Sequence, residues 1–119
     1  MINAAHLLMH STDAPADRAF LRDVLQWAHV EDAGSEPGWL IFALPPTELG
    51  VHPTDGDPQV TLHLMCDALQ PTLEQLAERG VRASSPVTDD GYGIATTLTL
   101  PSGAVVGLYE PRHESPLAR

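Results

Sequence analysis

The chain contains no lysine, and its six basic residues face sixteen acidic ones, which gives a formal net charge of −10 at pH 7. Proteins that bind nucleic acids or anionic membrane surfaces rely on clustered Lys and Arg side chains that face phosphates. The arginines of this chain are scattered instead. The composition therefore predicts neither a nucleic-acid partner nor a membrane partner. The acidic excess would attract a cationic ligand, but it also suits an ordinary solvated surface.

Cysteine and long apolar runs are also scarce. Cys66 is the only cysteine, so the chain has no disulfide within itself and no Cys-x-x-Cys motif. No apolar stretch approaches the roughly 18 residues of a membrane-spanning helix. The first residues lack the basic and apolar segments of a signal peptide. The sequence therefore predicts a cytoplasmic protein.

The length and the remaining composition indicate one globular domain. The chain has 119 residues, of which 43% are hydrophobic and 18% charged, and this balance is typical of a folded domain. Eleven prolines and nine glycines predict many short elements joined by turns. We expect a single domain over residues 1–119.

The first half predicts a strand, a helix and about three further strands. Residues 4–11 are mostly apolar and fit a strand, and a helix is expected from Pro15 to about residue 26 because apolar residues recur at helical spacing. Residues 29–32 fit a weak strand, and residues 39–44 fit a strand buried on both faces. The remaining predictions here are a turn at 34–38, a strand at 47–52 and a loop at 53–58.

The second half repeats this order. A strand is predicted at 60–66 and a helix at 71–79, with Gly80 as its C-terminal stop. A further strand region begins at 81–87, and two alternating strands follow at 94–100 and 104–110. The sequence thus predicts two similar modules, residues 1–57 and 58–113, with a loose tail at 114–119. The expected fold is α+β, with a curved, cup-like mixed sheet and helices outside it.

Three segments of the chain form a recognisable set, and they read FLRDVLQ at 20–26, LEQLAERGV at 73–81 and DDGYGIATTLTLPSGAVVGLYEP at 89–111. Together they resemble the glyoxalase, bleomycin-resistance and extradiol dioxygenase (vicinal oxygen chelate) superfamily. The resemblance covers nearly the whole chain and implies two βαβββ modules around a small-molecule pocket. The superfamily includes metal-dependent enzymes and metal-free proteins that sequester antibiotics, so the fold alone does not define the activity.

The resemblance also implies where a metal would bind. Its first-strand histidine is matched by His6, but the equivalent position in the second half is Thr61 and the closing-strand glutamate falls at Gly107. Glu48 matches an acidic position of the fourth strand. A catalytic metal needs about three protein ligands, and Thr and Gly are unsuited to that role. The resemblance therefore implies a protein without a metal cofactor.

Strand alternation places several polar side chains on the expected pocket face. They include three histidines, which suit ligand binding, a displaced metal site or ordinary hydrogen bonding on a half-open sheet. Trp39 fits a pocket wall, the core or a dimer contact, and residues 48 and 52 fit either the pocket or an exposed edge. The candidate ligand-binding residues are His6, His10, Trp39, Glu48, His52, His63, Tyr92 and Tyr109.

Three functions fit these patterns. The leading hypothesis is a homodimeric protein that binds a small organic ligand without metal and uses pocket burial and a few polar groups. The alternative is an enzyme, namely a lyase, isomerase or dioxygenase, that uses one divalent metal ion held by His6 with some of His10, Glu48, His52 and His63. The third is a dimeric interaction module with a vestigial pocket.

Overall fold

The computed structural model describes residues 6–32 and 38–117 and has the predicted α+β architecture. Two α-helices accompany a two-stranded sheet and a four-stranded mixed sheet, both of them open. The predicted turn at 34–38 lies mostly outside the described residues, as do residues 4 and 5 of the first predicted strand. Neither described helix has the length and apolarity needed to cross a bilayer.

The first half consists of a helical segment followed by a short hairpin. Helix α1 spans Ala14–Ala19 and continues as one π-helical turn over Phe20–Val24. The Asp13 side chain accepts a hydrogen bond from the Ala16 amide at 3.2 Å and so caps the start of α1. Strands β1 (His29–Glu31) and β2 (Leu40–Phe42) then pair antiparallel. The predicted helix is confirmed, and its helical segment ends at Val24, two residues before the predicted end.

Three strand predictions in this half were wrong in part. Residues 6–11 and 47–52 form no strand, and Leu7 and Met9 are 49% and 37% exposed. Strand β2 is shorter than predicted and not buried on both faces, since Ile41 is 37% exposed. Alternation identifies a segment that can form a strand, but pairing depends on a distant partner. Prolines on both sides of 47–52 also remove backbone donors.

The second half forms a strand–helix–three-strand module in the predicted order, but residues 81–87 form no strand, and the short strand after the helix lies at Thr88–Asp89 instead. Its elements in chain order are β3 (His63–Met65), α2 (Leu69–Glu78), β4 (Thr88–Asp89), β5 (Gly93–Thr99) and β6 (Val105–Pro111). The strand order is β3-β6-β5-β4, in which β3 lies parallel to β6 and the other pairs are antiparallel. Helix α2 ends at Glu78, and Gly80, two residues later, has a φ of 81°. This agrees with the prediction of Gly80 as the C-terminal stop of the helix.

One hydrophobic core joins the two halves. Phe20 comes from the first half, and the other six buried residues come from α2, β5, β6 and the residue after β5. Leu62 and Leu64 pack against this core, as the alternation around β3 predicted. The buried members are Phe20, Leu69, Leu76, Leu98, Leu100, Val106 and Leu108. The helices therefore cover one face of the four-stranded sheet.

A buried carboxylate provides a second link between the halves. Asp17 on α1 is 4% exposed and accepts hydrogen bonds from the Ser102 amide at 3.0 Å and the Ser102 hydroxyl at 2.6 Å. Burial raises the pKa of Asp17, but the hydrogen bonds from Ser102 and Ser11 outweigh that effect and lower it below the ordinary 3.8. Ser102 lies in the β5–β6 turn, so this contact fixes α1 against that hairpin.

Candidate ligand-binding cleft

A cleft of about 280 Å³ lies on the four-stranded sheet. Alternate residues of β5 and β6 point in opposite directions. Leu98 and Val106 enter the core, while Thr97 and Tyr109 line the cleft. The lining residues are His63, Ser85, Pro86, Thr88, Asp90, Tyr92, Ala95, Thr96, Thr97, Gly107, Leu108 and Tyr109.

Three aromatic rings form one wall of the cleft. Tyr109 on β6 is 9% exposed, and the Tyr92 ring meets it edge-to-face with centroids 5.4 Å apart. The His63 ring meets Tyr109 at 84° with centroids 6.3 Å apart. These are favourable geometries for ring pairs. Because Tyr92 is 45% exposed, part of its ring remains accessible to another molecule.

Gly107 provides the space that the His63 imidazole occupies. Residue 107 pairs with His63 on one side and with Thr97 on the other. A Cβ atom at position 107 would lie 2.2 Å from His63 Nδ1. The glycine therefore allows an imidazole to lie across the middle of the sheet. His63 Nε2 contacts the Thr61 hydroxyl at 3.0 Å, and this contact orients the ring.

Hydroxyl groups form a second, polar part of the cleft. The Thr97 hydroxyl donates to Ser85 Oγ at 2.8 Å and also contacts Ser84 Oγ at 2.8 Å. The Thr96 hydroxyl donates to the Ser85 carbonyl at 2.7 Å. Hydroxyls both donate and accept hydrogen bonds. The cleft thus combines aromatic surface with neutral polar groups, as small-molecule sites commonly do.

One carboxylate lies at the cleft beside Tyr92. Asp90 Oδ2 accepts hydrogen bonds from the Thr88 hydroxyl at 2.9 Å and the Tyr92 hydroxyl at 3.5 Å. Burial raises the pKa of the Tyr92 phenol above its ordinary 10.0, and Asp90 raises it further. The phenol is therefore a protonated donor near neutral pH. Nearby, Arg112 forms an ion pair with Asp89 at 2.6 Å, and this contact lowers the pKa of Asp89.

The C-terminal segment connects Glu48 to the cleft. The Tyr109 hydroxyl and His113 Nε2 lie 3.0 Å apart, and the same nitrogen lies 3.4 Å from Glu48 Oε1. Ser115 Oγ donates to Glu48 Oε2 at 2.5 Å. When the His113 ring is neutral and carries its proton on Nδ1, Nε2 can accept a hydrogen bond from the Tyr109 hydroxyl. When both ring nitrogens carry a proton, Nε2 can donate one to Glu48 instead.

The predicted site residues separate into two groups. His63, Tyr92 and Tyr109 line the cleft, and Glu48 approaches Tyr109 through His113. The other four lie elsewhere. His6 and His10 are exposed in the extended N-terminal segment. The Arg18 guanidinium carbon lies 5.1 Å from the Trp39 ring centroid. His52 is exposed, and its Nδ1 lies 2.7 Å from the Pro53 carbonyl oxygen.

Sequence reasoning missed several residues that surround the cleft. Asp90 is not among the candidate site residues predicted from the sequence, although its carboxylate is beside Tyr92. Thr97 shares alternation parity with the cleft-facing Ala95, which was an available signal. His113 and Ser115 had no local signal. They reach Glu48 across 65 or more residues of chain, and no periodicity predicts such a contact.

The described residues do not assemble a metal site. Across residues 6–32 and 38–117, no group of three or more His, Cys, Asp or Glu side chains could hold an ion. His63 is the one histidine in the strands of the four-stranded sheet, and its ring contacts Thr61 and Tyr109. Cys66 offers no reactive thiolate, because burial raises the pKa of its thiol.

A second depression lies beside α2. It has a volume of about 260 Å³ and is lined by Gln70, Leu73, Glu74, Ala77, Val81, Arg82 and Ala83. No aromatic ring is among these lining residues. We therefore regard the cleft on the sheet as the candidate ligand-binding site.

Comparison with solved structures shows the fold. TnmS3, an antibiotic binding protein from Streptomyces sp. CB03234, matches with a TM-score of 0.63 and 23% identity, over 93% of this chain and 98% of TnmS3. A protein of unknown function from Agrobacterium tumefaciens matches with a TM-score of 0.57 and 17% identity, over 92% and 94% of the two chains. An integron cassette protein from the mobile metagenome of V. cholerae matches with a TM-score of 0.53 and 16% identity, over 92% and 98%.

No protein-family model matches the chain, and neither does any curated protein sequence. The similarity is therefore one of structure, spread over nearly the whole chain at low sequence identity.

Proposed function

We propose that the protein binds a small organic ligand in the cleft on the four-stranded sheet, without a metal ion. The observation that carries this proposal is the cleft itself, which is lined both by the rings of Tyr92, Tyr109 and His63 and by serine and threonine side chains. Aromatic surface with a few fixed polar groups is sufficient chemistry for binding. The cleft brings together no nucleophile with an activating base, so sequestration fits it better than catalysis.

The similarity to TnmS3 supports this proposal. That protein is described as antibiotic binding, and the two chains share their fold over nearly their full length. We propose that this chain belongs to the vicinal oxygen chelate superfamily and is of the bleomycin-resistance type. Its own ligand is then an organic molecule of antibiotic or metabolite size.

A ligand screen with and without chelator tests this function. The protein, purified without a histidine tag, is treated with EDTA and screened by thermal shift against aromatic antibiotics and metabolites. We expect at least one compound to raise the melting temperature equally before and after EDTA, and to lose its effect in Tyr92→Ala. Phe42→Ala, an aromatic truncation in β2 outside the cleft, is the control. Binding that disappears with EDTA would instead support the metalloenzyme alternative.

We further propose that the protein is a homodimer. The chain exposes 8748 Å², whereas a compact monomer of 12.8 kDa exposes about 6,300 Å². Its radius of gyration is 15.4 Å, against about 13.5 Å expected for this length. Leu49, Val51 and Val60 are 85%, 92% and 79% exposed. An excess of roughly 2,400 Å² per chain is in the range that obligate dimers bury.

Analytical ultracentrifugation tests the dimer. We expect the wild-type protein to sediment as a dimer at micromolar concentration and Val51→Asp to shift it towards the monomer. Asp57→Asn, in the adjacent exposed loop, is the control. A monomeric wild-type protein at high concentration would contradict the dimer while leaving the cleft proposal intact.

A cytoplasmic location is also part of the proposal. A single half-buried cysteine, Cys66, suits a reducing compartment. Fractionation of the source cells tests it, with the protein expected in the cytoplasmic fraction.

A further inference from the structure

The described lining residues of the cleft include one carboxylate and no basic side chain of the Arg or Lys type. The carboxylate is that of Asp90. Arg112, whose backbone amide donates to the Tyr92 carbonyl at 2.8 Å, forms an ion pair with Asp89 at 2.6 Å. Glu48 lies beyond Tyr109, on the other side of His113. The aromatic wall therefore lies between two carboxylates.

The ring geometry adds to this electrostatic preference. The faces of aromatic rings are electron-rich and attract cations. Tyr92 is half exposed beside Asp90, so a ring that stacks on Tyr92 would also contact the carboxylate. Long-range attraction acts in the same direction, because the chain carries a formal charge of −10.

We propose, on the basis of the ligand-binding function above, that the cleft selects planar aromatic cations. The flat ring of the ligand stacks on Tyr92 against the Tyr109 wall, and its positive charge pairs with Asp90. The hydroxyls of Thr97 and Ser85 accept hydrogen bonds from ring substituents. Anionic molecules of the same size are excluded, because the described lining residues provide no Arg or Lys to neutralise them.

A matched pair of fluorescent probes tests this selectivity. Proflavine is a tricyclic aromatic cation, and anthracene-2-sulfonate is a tricyclic anion of similar size. Titration followed by fluorescence anisotropy in low salt should give an affinity for proflavine at least about tenfold higher than for the anion. The difference should shrink at 1 M salt, where the Debye length falls to about 3 Å.

Two charge-matched variants locate the effect. Asp90→Asn should weaken proflavine binding several-fold and leave anion binding unchanged or slightly stronger. Asp57→Asn removes the same charge from the exposed 53–58 loop and should change neither. Circular dichroism melting of each variant confirms that it is folded. An equal loss in both variants would mean that only net charge acts, and it would overturn the assignment to Asp90.

The outcomes separate this inference from the proposed function. If both probes bind equally, or the anion binds more tightly, the cation preference is wrong and the ligand-binding function stands. If neither probe binds at millimolar concentration, both the inference and the aromatic cleft as a binding site are contradicted. Binding of proflavine that survives Tyr92→Ala would show that the probe lies elsewhere, and it would likewise overturn the proposal.

Discussion

The two halves of the chain differ in how completely they fold upon themselves. In the second half, two seven-residue strands pair along their whole length, and Leu98 and Val106 are 0% and 4% exposed. In the first half, only the helical segment enters the core, and β1 and β2 form a hairpin with no buried residue. The second half therefore supplies the sheet and most of the core, whereas the first half contributes Phe20 to that core and is otherwise open.

The difference follows from where pairing partners are located. Strands β5 and β6 are joined by the tight turn at 101–103, so their partner is local. The extended segment at 47–52 has no such neighbour, and Val51 is 92% exposed. The turn brings the two strands of a hairpin together at a small cost in loop entropy, whereas a strand without a neighbouring partner depends on a distant or external one. This contrast is one reason for proposing that a second copy of the chain covers the open surface of the first half.

The largest expected effect comes from the core of the second half. Leu98→Ala removes a fully buried side chain and should lower the free energy of unfolding by about 3–4 kcal/mol. Ile41→Ala, at a partly exposed position of β2, should cost less than about 1 kcal/mol in the monomer. Urea denaturation followed by circular dichroism measures both. Equal losses would show that the first half holds a core of its own and would remove the contrast between the halves.

A smaller effect is expected where the halves meet. Asp17→Ala leaves the Ser102 amide and hydroxyl without their acceptor and should cost about 2 kcal/mol at pH 7. Because folding lowers the pKa of Asp17, its stabilisation is complete above the ordinary value of 3.8 and is lost as the pH falls through the lower folded value.

The pH dependence distinguishes this contact from a general loss of packing. The difference in unfolding free energy between wild type and Asp17→Ala should shrink when the pH falls below 3.8, the ordinary value for Asp17. Asp57→Ala, at an exposed loop position, should show no such difference at any pH. A constant difference between pH 7 and pH 2 would contradict an ionised Asp17 as the link between the halves.

The smallest effect concerns the cleft itself. Gly107→Ala places a methyl group against the His63 ring, which must rotate away, and we expect a cost of about 1 kcal/mol and weaker ligand binding. The double variant Gly107→Ala with His63→Ala should recover most of the stability but not the binding. If Gly107→Ala alone binds ligand normally, His63 is not part of the site.

The sequence predicted the second half better than the first, and particular residues show why. The alternation at 94–100 and the Pro101-Ser102-Gly103 turn define the hairpin locally, so Tyr109 and Gly107 were correctly expected on one face. The same alternation at residues 6–11 predicted a strand that the described chain does not pair. Alternation measures the capacity to form a strand, and it carries no information about which neighbour completes the sheet.

The residues of the candidate site show the same contrast between local patterns, which could be predicted, and long-range contacts, which could not. His63 lies on β3, which pairs with β6, and Tyr109 lies on β6 itself. Strand alternation alone was therefore enough to place both side chains. His113 reaches Tyr109 from beyond the last strand and Glu48 from 65 residues away. A contact of that kind depends on the path of the whole chain, and no local pattern encodes it. The sequence leaves open whether Trp39 is a pocket wall, a core residue or a dimer contact. In the structure, the Trp39 ring lies against the Arg18 guanidinium.

A two-dimensional ¹⁵N NMR titration of the EDTA-treated protein with proflavine tests directly whether the cleft on the sheet binds a ligand without metal. We expect chemical-shift changes concentrated at His63, Tyr92, Thr97 and Tyr109, with the amides of α2 unaffected. Shift changes centred on Leu73 and Val81, beside α2, would contradict it, and so would binding that appears only after a divalent metal is restored.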